Sequence, residues 1–203
     1  MKALPKILLA VTAIAVTSLF SVQPAQAFTV TLEQMGTNVV AHGSGAINLM
    51  GLTLDIVVSP ATGINASSGT INMGQSNANV PGYTGFTGPT NFGSGGAFFP
   101  NTSSGDFVGI NDSFGNIFVP AGYVSNTALS NSMTFNNATF ASLGVTSGSY
   151  MWTWGTGLPN QNFTLIIGGT GVPDGGSTVS LLGFGLLGLA ALRRKLSSQE
   201  RKS

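Results

Sequence analysis

Val172-Pro173-Asp174-Gly175-Gly176 is the segment of this chain best shaped to have chemistry done to it. Pro173 fixes its own φ and biases Val172 toward an extended conformation, the form that a protease groove accepts. Gly175 and Gly176 add backbone freedom. Near the other end, Ala25-Gln26-Ala27 is the small-x-small pattern that signal peptidase reads. Groups able to act on something else are sparse. Residues 28–171 hold four acids (Glu33, Asp55, Asp106 and Asp112), one histidine, His42, and no cysteine. Two carboxylates could serve a glycosidase, but four acids in a domain of this size will often include such a pair. His42 lies beside Ser44 without the nucleophile elbow that a catalytic serine needs, and reads as a polar strand residue. One histidine and no cysteine exclude a His/Cys metal cluster. Asp106, Asn111 and Asp112 could offer oxygens to calcium, yet their spacing fits no calcium loop and an Asx turn explains them as well. The expectation is a non-enzymatic protein without metal or cofactor.

One constellation has two readings, a binding face or, the one favoured, a core face. Tyr150, Trp152 and Trp154 alternate with Met151 and Thr153, which puts three rings on one face of a strand. Such a stripe can stack on sugar rings. It is also what a sandwich core wants, because aromatics supply large buried area.

The ends must deliver the rest. Lys2 and Lys6 form a basic n-region and Ile7 to Phe20 an apolar h-region, so residues 1–27 read as a signal helix cleaved before Phe28. At the C-terminal side an apolar run from Val179 to Leu192 precedes Arg193-Arg194-Lys195. As a helix that run covers roughly 21 Å against roughly 30 Å of hydrocarbon. Ser177, Thr178 and the snorkelling arms of the three basic residues bring it close to spanning. Residues 177–192 are therefore expected to form a transmembrane helix, with 193–203 a basic cytoplasmic tail placed by the positive-inside rule. Gly183-Phe184-Gly185-Leu186-Leu187-Gly188 matches G-x-G-x-x-G by letter, but a turn precedes it where a dinucleotide site needs a strand.

The order of motif, helix and Arg-Arg-Lys over residues 172–195 resembles the PEP-CTERM sorting signal of Gram-negative bacteria, with Val172-Pro173-Asp174-Gly175-Gly176 in place of Val-Pro-Glu-Pro. The resemblance implies that an exosortase, a membrane-embedded protease and transpeptidase, recognises residues 172–176 and cuts nearby. The domain would be anchored only transiently in the inner membrane, then released to the cell surface or the extracellular matrix. It further implies association with exopolysaccharide and biofilm. The plain alternative is a linker before an ordinary single-span anchor.

Between the ends lie 144 residues, one domain by length. This stretch contains no Lys or Arg, so the overall formal charge of +1 belongs to the flanks and the exported part is near −4. Nucleic-acid binding is excluded, because phosphate contacts draw on Lys and Arg. Sixteen Asn and 24 Gly in residues 28–171 suit a turn-rich all-β domain or a partly disordered matrix segment. Five Asn-x-Ser/Thr sequons, at Asn65, Asn101, Asn111, Asn137 and Asn162, read as chance in so Asn-rich a chain. Apolar residues alternate in Phe28, Val30 and Leu32, in Leu52, Leu54, Ile56 and Val58, and in Phe163, Leu165 and Ile167. An antiparallel β-sandwich of roughly eight strands follows. Ala138 to Leu143 is expected to make one helical turn, and residues 72–96 a flexible Gly/Asn-rich loop. Gly36-Thr37-Asn38-Val39-Val40, Thr87-Gly88-Pro89-Thr90, Val119-Pro120-Ala121-Gly122-Tyr123-Val124-Ser125, Thr139-Phe140-Ala141-Ser142-Leu143-Gly144-Val145 and Tyr150-Met151-Trp152-Thr153-Trp154-Gly155 resemble stretches of an ectodomain recurrent in PEP-CTERM proteins, a likeness that brings no activity with it. A carbohydrate-binding module delivered by the same route remains open.

Overall fold

The computed structural model describes residues 26–75 and 79–168. The signal segment as far as Ala25, the motif at 172–176, the apolar run and the basic stop lie outside the described residues. Among the described residues no helix is long and apolar enough to cross a membrane.

Fourteen strands follow one another: β1 (Phe28–Met35), β2 (Asn38–Gly45), β3 (Thr53–Val58), β4 (Gly63–Asn65), β5 (Thr70–Met73), β6 (Val80–Thr84), β7 (Phe86–Thr87), β8 (Ala97–Phe98), β9 (Thr102–Gly105), β10 (Val108–Asn111), β11 (Asn116–Phe118), β12 (Leu129–Phe135), β13 (Gly148–Trp154) and β14 (Asn162–Ile167). They form two seven-stranded sheets, ordered β7-β13-β14-β1-β2-β12-β9 and β3-β6-β11-β10-β5-β4-β8. Every pair is antiparallel except β1 with β14, which run parallel from Phe28 opposite Phe163 to Leu32 opposite Ile167.

One core joins the sheets. Phe28, Val30 and Leu32 of β1 and Phe163, Leu165 and Ile167 of β14 meet Ile64, Ile71, Ile110 and Ile117 from the second sheet. The alternation that makes these strands legible is the alternation that buries them, since successive side chains point to opposite faces. Thr139 caps the single turn of helix, α1 (Phe140–Leu143). Ser142 N–H donates to Thr139 Oγ1 at 3.0 Å, and Thr139 N–H donates back to Ser142 Oγ at 2.9 Å.

Four expectations need correction. Among the described residues the strands number fourteen, because pieces of two to four residues are too short to show a period of two. The sandwich is not purely antiparallel, since β14 returns beside β1. The stretch 72–96 is not a loop throughout: it carries β6 and β7 and the fully buried Phe92, with 76–78 outside the described residues. Leu54 and Ile56 do not share a face. A bulge at Asp55 shifts the register, so that Leu54 pairs with Tyr83 and Ile56 with Gly82, on opposite sides of this edge strand.

Tyr123 latches the long connection after β11 onto the core. Its hydroxyl accepts from Ile47 N–H at 2.9 Å and lies within donor reach of the carbonyls of Thr127 (2.9 Å) and Ile47 (3.0 Å). Tyr123→Phe is expected to cost about 1–3 kcal/mol, because it strands the Ile47 N–H. Burial pushes the phenol above its usual 10.0. The folded state thus resists its ionisation, and the unfolded chain loses that proton first. Stability from this group is present below pH 10.0 and is lost as the pH climbs beyond it. Urea midpoints of both proteins at neutral and alkaline pH check this; an unchanged neutral midpoint for the variant would refute the latch.

Candidate functional site

The four-stranded middle of the second sheet is built from an internal repeat. Gly63-Ile64-Asn65-Ala66-Ser67-Ser68-Gly69-Thr70-Ile71 is matched by Gly109-Ile110-Asn111-Asp112-Ser113-Phe114-Gly115-Asn116-Ile117, with Gly, Ile, Asn, Ser, Gly and Ile in the same places. Each copy is a hairpin closed by one 3-10 turn. Asn65 enters its turn at φ −140°, ψ 96° and Asn111 at −133°, 92°; Gly69 leaves at 59°, 31° and Gly115 at 67°, 28°. The exit requires the left-handed region, which glycine adopts without strain. Ile64 pairs with Ile71 as Ile110 pairs with Ile117, and β5 pairs with β10. One hairpin is therefore the other translated by two strands, about 10 Å at the usual strand spacing.

Translation sets like side chains in a row. Asn65, Thr70, Asn111 and Asn116 are successive cross-strand neighbours on the face turned away from the core. Thr70 Oγ1 donates to Asn111 Oδ1 at 3.2 Å, and Phe114 N–H donates to the same oxygen at 3.3 Å. Ser67 Oγ donates to Asn65 Oδ1 at 3.0 Å. Asn116 Nδ2 donates to Asp55 Oδ2 at 3.0 Å and ties the row to the edge strand. Among the described residues the Nδ2 groups of Asn65 and Asn111 have no acceptor. Two donors on Asn111 Oδ1 fix which side of that amide faces outward.

Over this row opens a cleft of about 500 Å³, lined by Asn65, Thr70, Asn111, Phe98, Phe99 and Phe114 among others. Phe99 is 69% exposed and Phe114 76%. A smaller hollow of about 260 Å³ adjoins it and shares Asn111 and Phe114. Among the described residues no side chain lining either ionises.

The residues singled out from sequence stand elsewhere. Trp152 is 0% exposed and Trp154 5%, and their indole N–H groups donate to Pro89 O at 2.9 Å and Asn48 O at 2.7 Å. Tyr150 is half-buried and donates to Thr146 O at 2.9 Å. Of the two readings of Tyr150, Trp152 and Trp154, the stripe therefore follows the core one: neither indole offers a face to a ligand. His42 sits on the exposed face of β2 between Thr31 and Ser132, and Ser132 is engaged with Ser104 at 2.9 Å. Asp106 lies before β10 and Asp112 after it, so the strand holds them apart and they do not converge on an ion. Asp106 Oδ2 accepts Ser130 N–H at 2.9 Å. Burial pushes the Asp112 carboxyl up from its ordinary value. Among the described residues no three His, Cys, Asp or Glu form a metal-holding group.

Asn65 and Asn111 read from sequence as chance sequons, and Asn111 as a turn residue or, at a spacing that fits no calcium loop, an oxygen for calcium. The signal that finds them is the repeat itself, six identities in nine positions at a spacing of 46 residues. Apolar periodicity misses it, because each strand is only three or four residues long.

Comparison with curated proteins and with solved structures gives no match. Residues 171–196 match the family of the VPDSG-CTERM motif, and the chain thus carries a PEP-CTERM-like C-terminal sorting signal, which targets it to exosortase for export to the cell envelope or surface.

Proposed function

We propose that this is an exported protein, cut near residues 172–176 by exosortase after signal peptidase has removed residues 1–27, and serving without catalysis at the cell surface or in the extracellular matrix among exopolysaccharide. The match over residues 171–196 carries the reading. Transient anchoring through residues 177–192, with Arg193, Arg194 and Lys195 as the stop, belongs to the same proposal. The non-catalytic part is supported by what two of the four acids do. Asp55 is taken up by Asn116 and Asp106 by Ser130, both in structural hydrogen bonds.

Intact mass of the protein from cells with and without their exosortase tests this. The expected result is a C-terminus near 172–176 only when the enzyme is present. A mass that still includes Arg193-Arg194-Lys195 in both strains overturns it and leaves a plain membrane-anchored ectodomain.

A further inference from the structure

We propose that the cleft over the tandem hairpins binds a linear, neutral glycan, held by the side-chain amides of Asn65 and Asn111 and by the faces of Phe99 and Phe114. The proposal deepens the surface reading and rests on it for access to polysaccharide.

Charge narrows the ligand first. None of the lining side chains ionises, and residues 28–171 contain no Lys or Arg. An anion finds no cation here, and a cation finds no carboxylate in the lining. What the cleft offers is amide N–H, hydroxyl and aromatic face. Asn111 spends its oxygen on Thr70 and Phe114, and Asn65 spends its own on Ser67. Their amide N–H groups remain to donate, so the ligand must bring acceptor oxygens without charge. Hydroxyl and ether oxygens do that. Phe99 and Phe114 stand with most of their surface in water, an unfavourable place for apolar rings that have no other work. The C–H face of a sugar ring packs on such a surface, as apolar matter packs on any aromatic.

Geometry narrows it further. The donors repeat by translation across two strands, about 10 Å. A small molecule would use one copy; a polymer with its own repeat, lying across the strands, uses both. An extended peptide is disfavoured on this face. The N–H and C=O groups of β4, β5, β10 and β11 are already engaged in their ladders, so no backbone edge is on offer.

The test uses the full chain solubilised in detergent, titrated calorimetrically with neutral hexasaccharides (β-1,4- and β-1,3-linked glucose, β-1,4-linked mannose) and with an acidic one from alginate. At least one neutral hexasaccharide is expected to bind, the acidic one not, and the matching disaccharide about tenfold more weakly. Phe99→Ala and Phe114→Ala should each weaken binding by about fivefold while leaving the thermal midpoint in place, since neither ring is in the core. Asn65→Asp and Asn111→Asp keep the accepting oxygen in its hydrogen bonds and replace only the outward amide; a loss of about tenfold is expected from each. Failure of every neutral glycan to bind overturns the proposal. So does binding that all four variants leave intact, a preference for the alginate fragment, or self-association of the chain that Phe99→Ala and Phe114→Ala abolish. The C-terminal mass is read on separate samples, so a failed sorting signal and an empty cleft are told apart.

Discussion

Trp152→Ala is expected to remove about 3–5 kcal/mol of stability, enough to unfold much of the population at growth temperature. The ring is fully buried, meets Phe92 edge-on at 6.5 Å between centroids and Phe163 at 5.9 Å, and donates its indole N–H to Pro89 O. Truncation opens a cavity among the two partner rings and leaves the Pro89 carbonyl unpaired. The backbone offers no relief, because Gly88 lies against the indole and its loop is tied to β13 through β7. Met151→Ala, one residue earlier on the exposed face, should change stability by no more than about 0.5 kcal/mol. Urea unfolding followed by tryptophan fluorescence for the control, and by circular dichroism for the Trp152 variant, measures both. Equal costs for the two variants would contradict the assignment of the aromatic stripe to the core.

Changing Pro173 and Asp174 together to Ala should reduce the C-terminally processed fraction by more than tenfold and leave the fold untouched. Alanine releases the constraint on φ at 173 and on the residue before it, and removes the only charge in the motif. Both positions lie inside the matched segment 171–196 and outside the described residues. Mass spectrometry of the membrane and secreted fractions reads the outcome. Normal processing of the double variant, at the normal position, would move recognition to the helix and the basic stop.

The long strands were legible because burial on one face writes itself into composition. Phe28, Val30 and Leu32 alternate with Thr29 and Thr31, and Phe163 and Leu165 with Asn162 and Thr164, because a core lies on one side. Legibility fails where strands are short or both faces are covered. Val108, Gly109 and Ile110 are all buried, and Asn116, Ile117 and Phe118 likewise, because Phe107, Phe118 and Val80 form a second small cluster on the far side of that sheet. A period of two vanishes when both neighbours are inside. The aromatic stripe was read correctly as a strand face, but composition alone does not say whether that face meets water. The cleft residues were hidden for another reason: asparagine is so common in this chain that only the repeated arrangement distinguishes Asn65 and Asn111 from the rest.

The parallel pairing of β1 with β14 bears on how the protein behaves under tension. Were the chain held through the residues that follow Gly168, a pull on it would enter the sheet through β14. That strand is interior, registered with β1 at five positions and with β13 at six, and Gly168 N–H adds a further bond to Leu32 O at 3.0 Å. Force directed along β14 loads all of these rungs together, as a sliding joint, where an edge strand such as β3 would peel one rung at a time. The sorting signal thus follows an interior strand of this domain, one laddered to a neighbour on each side.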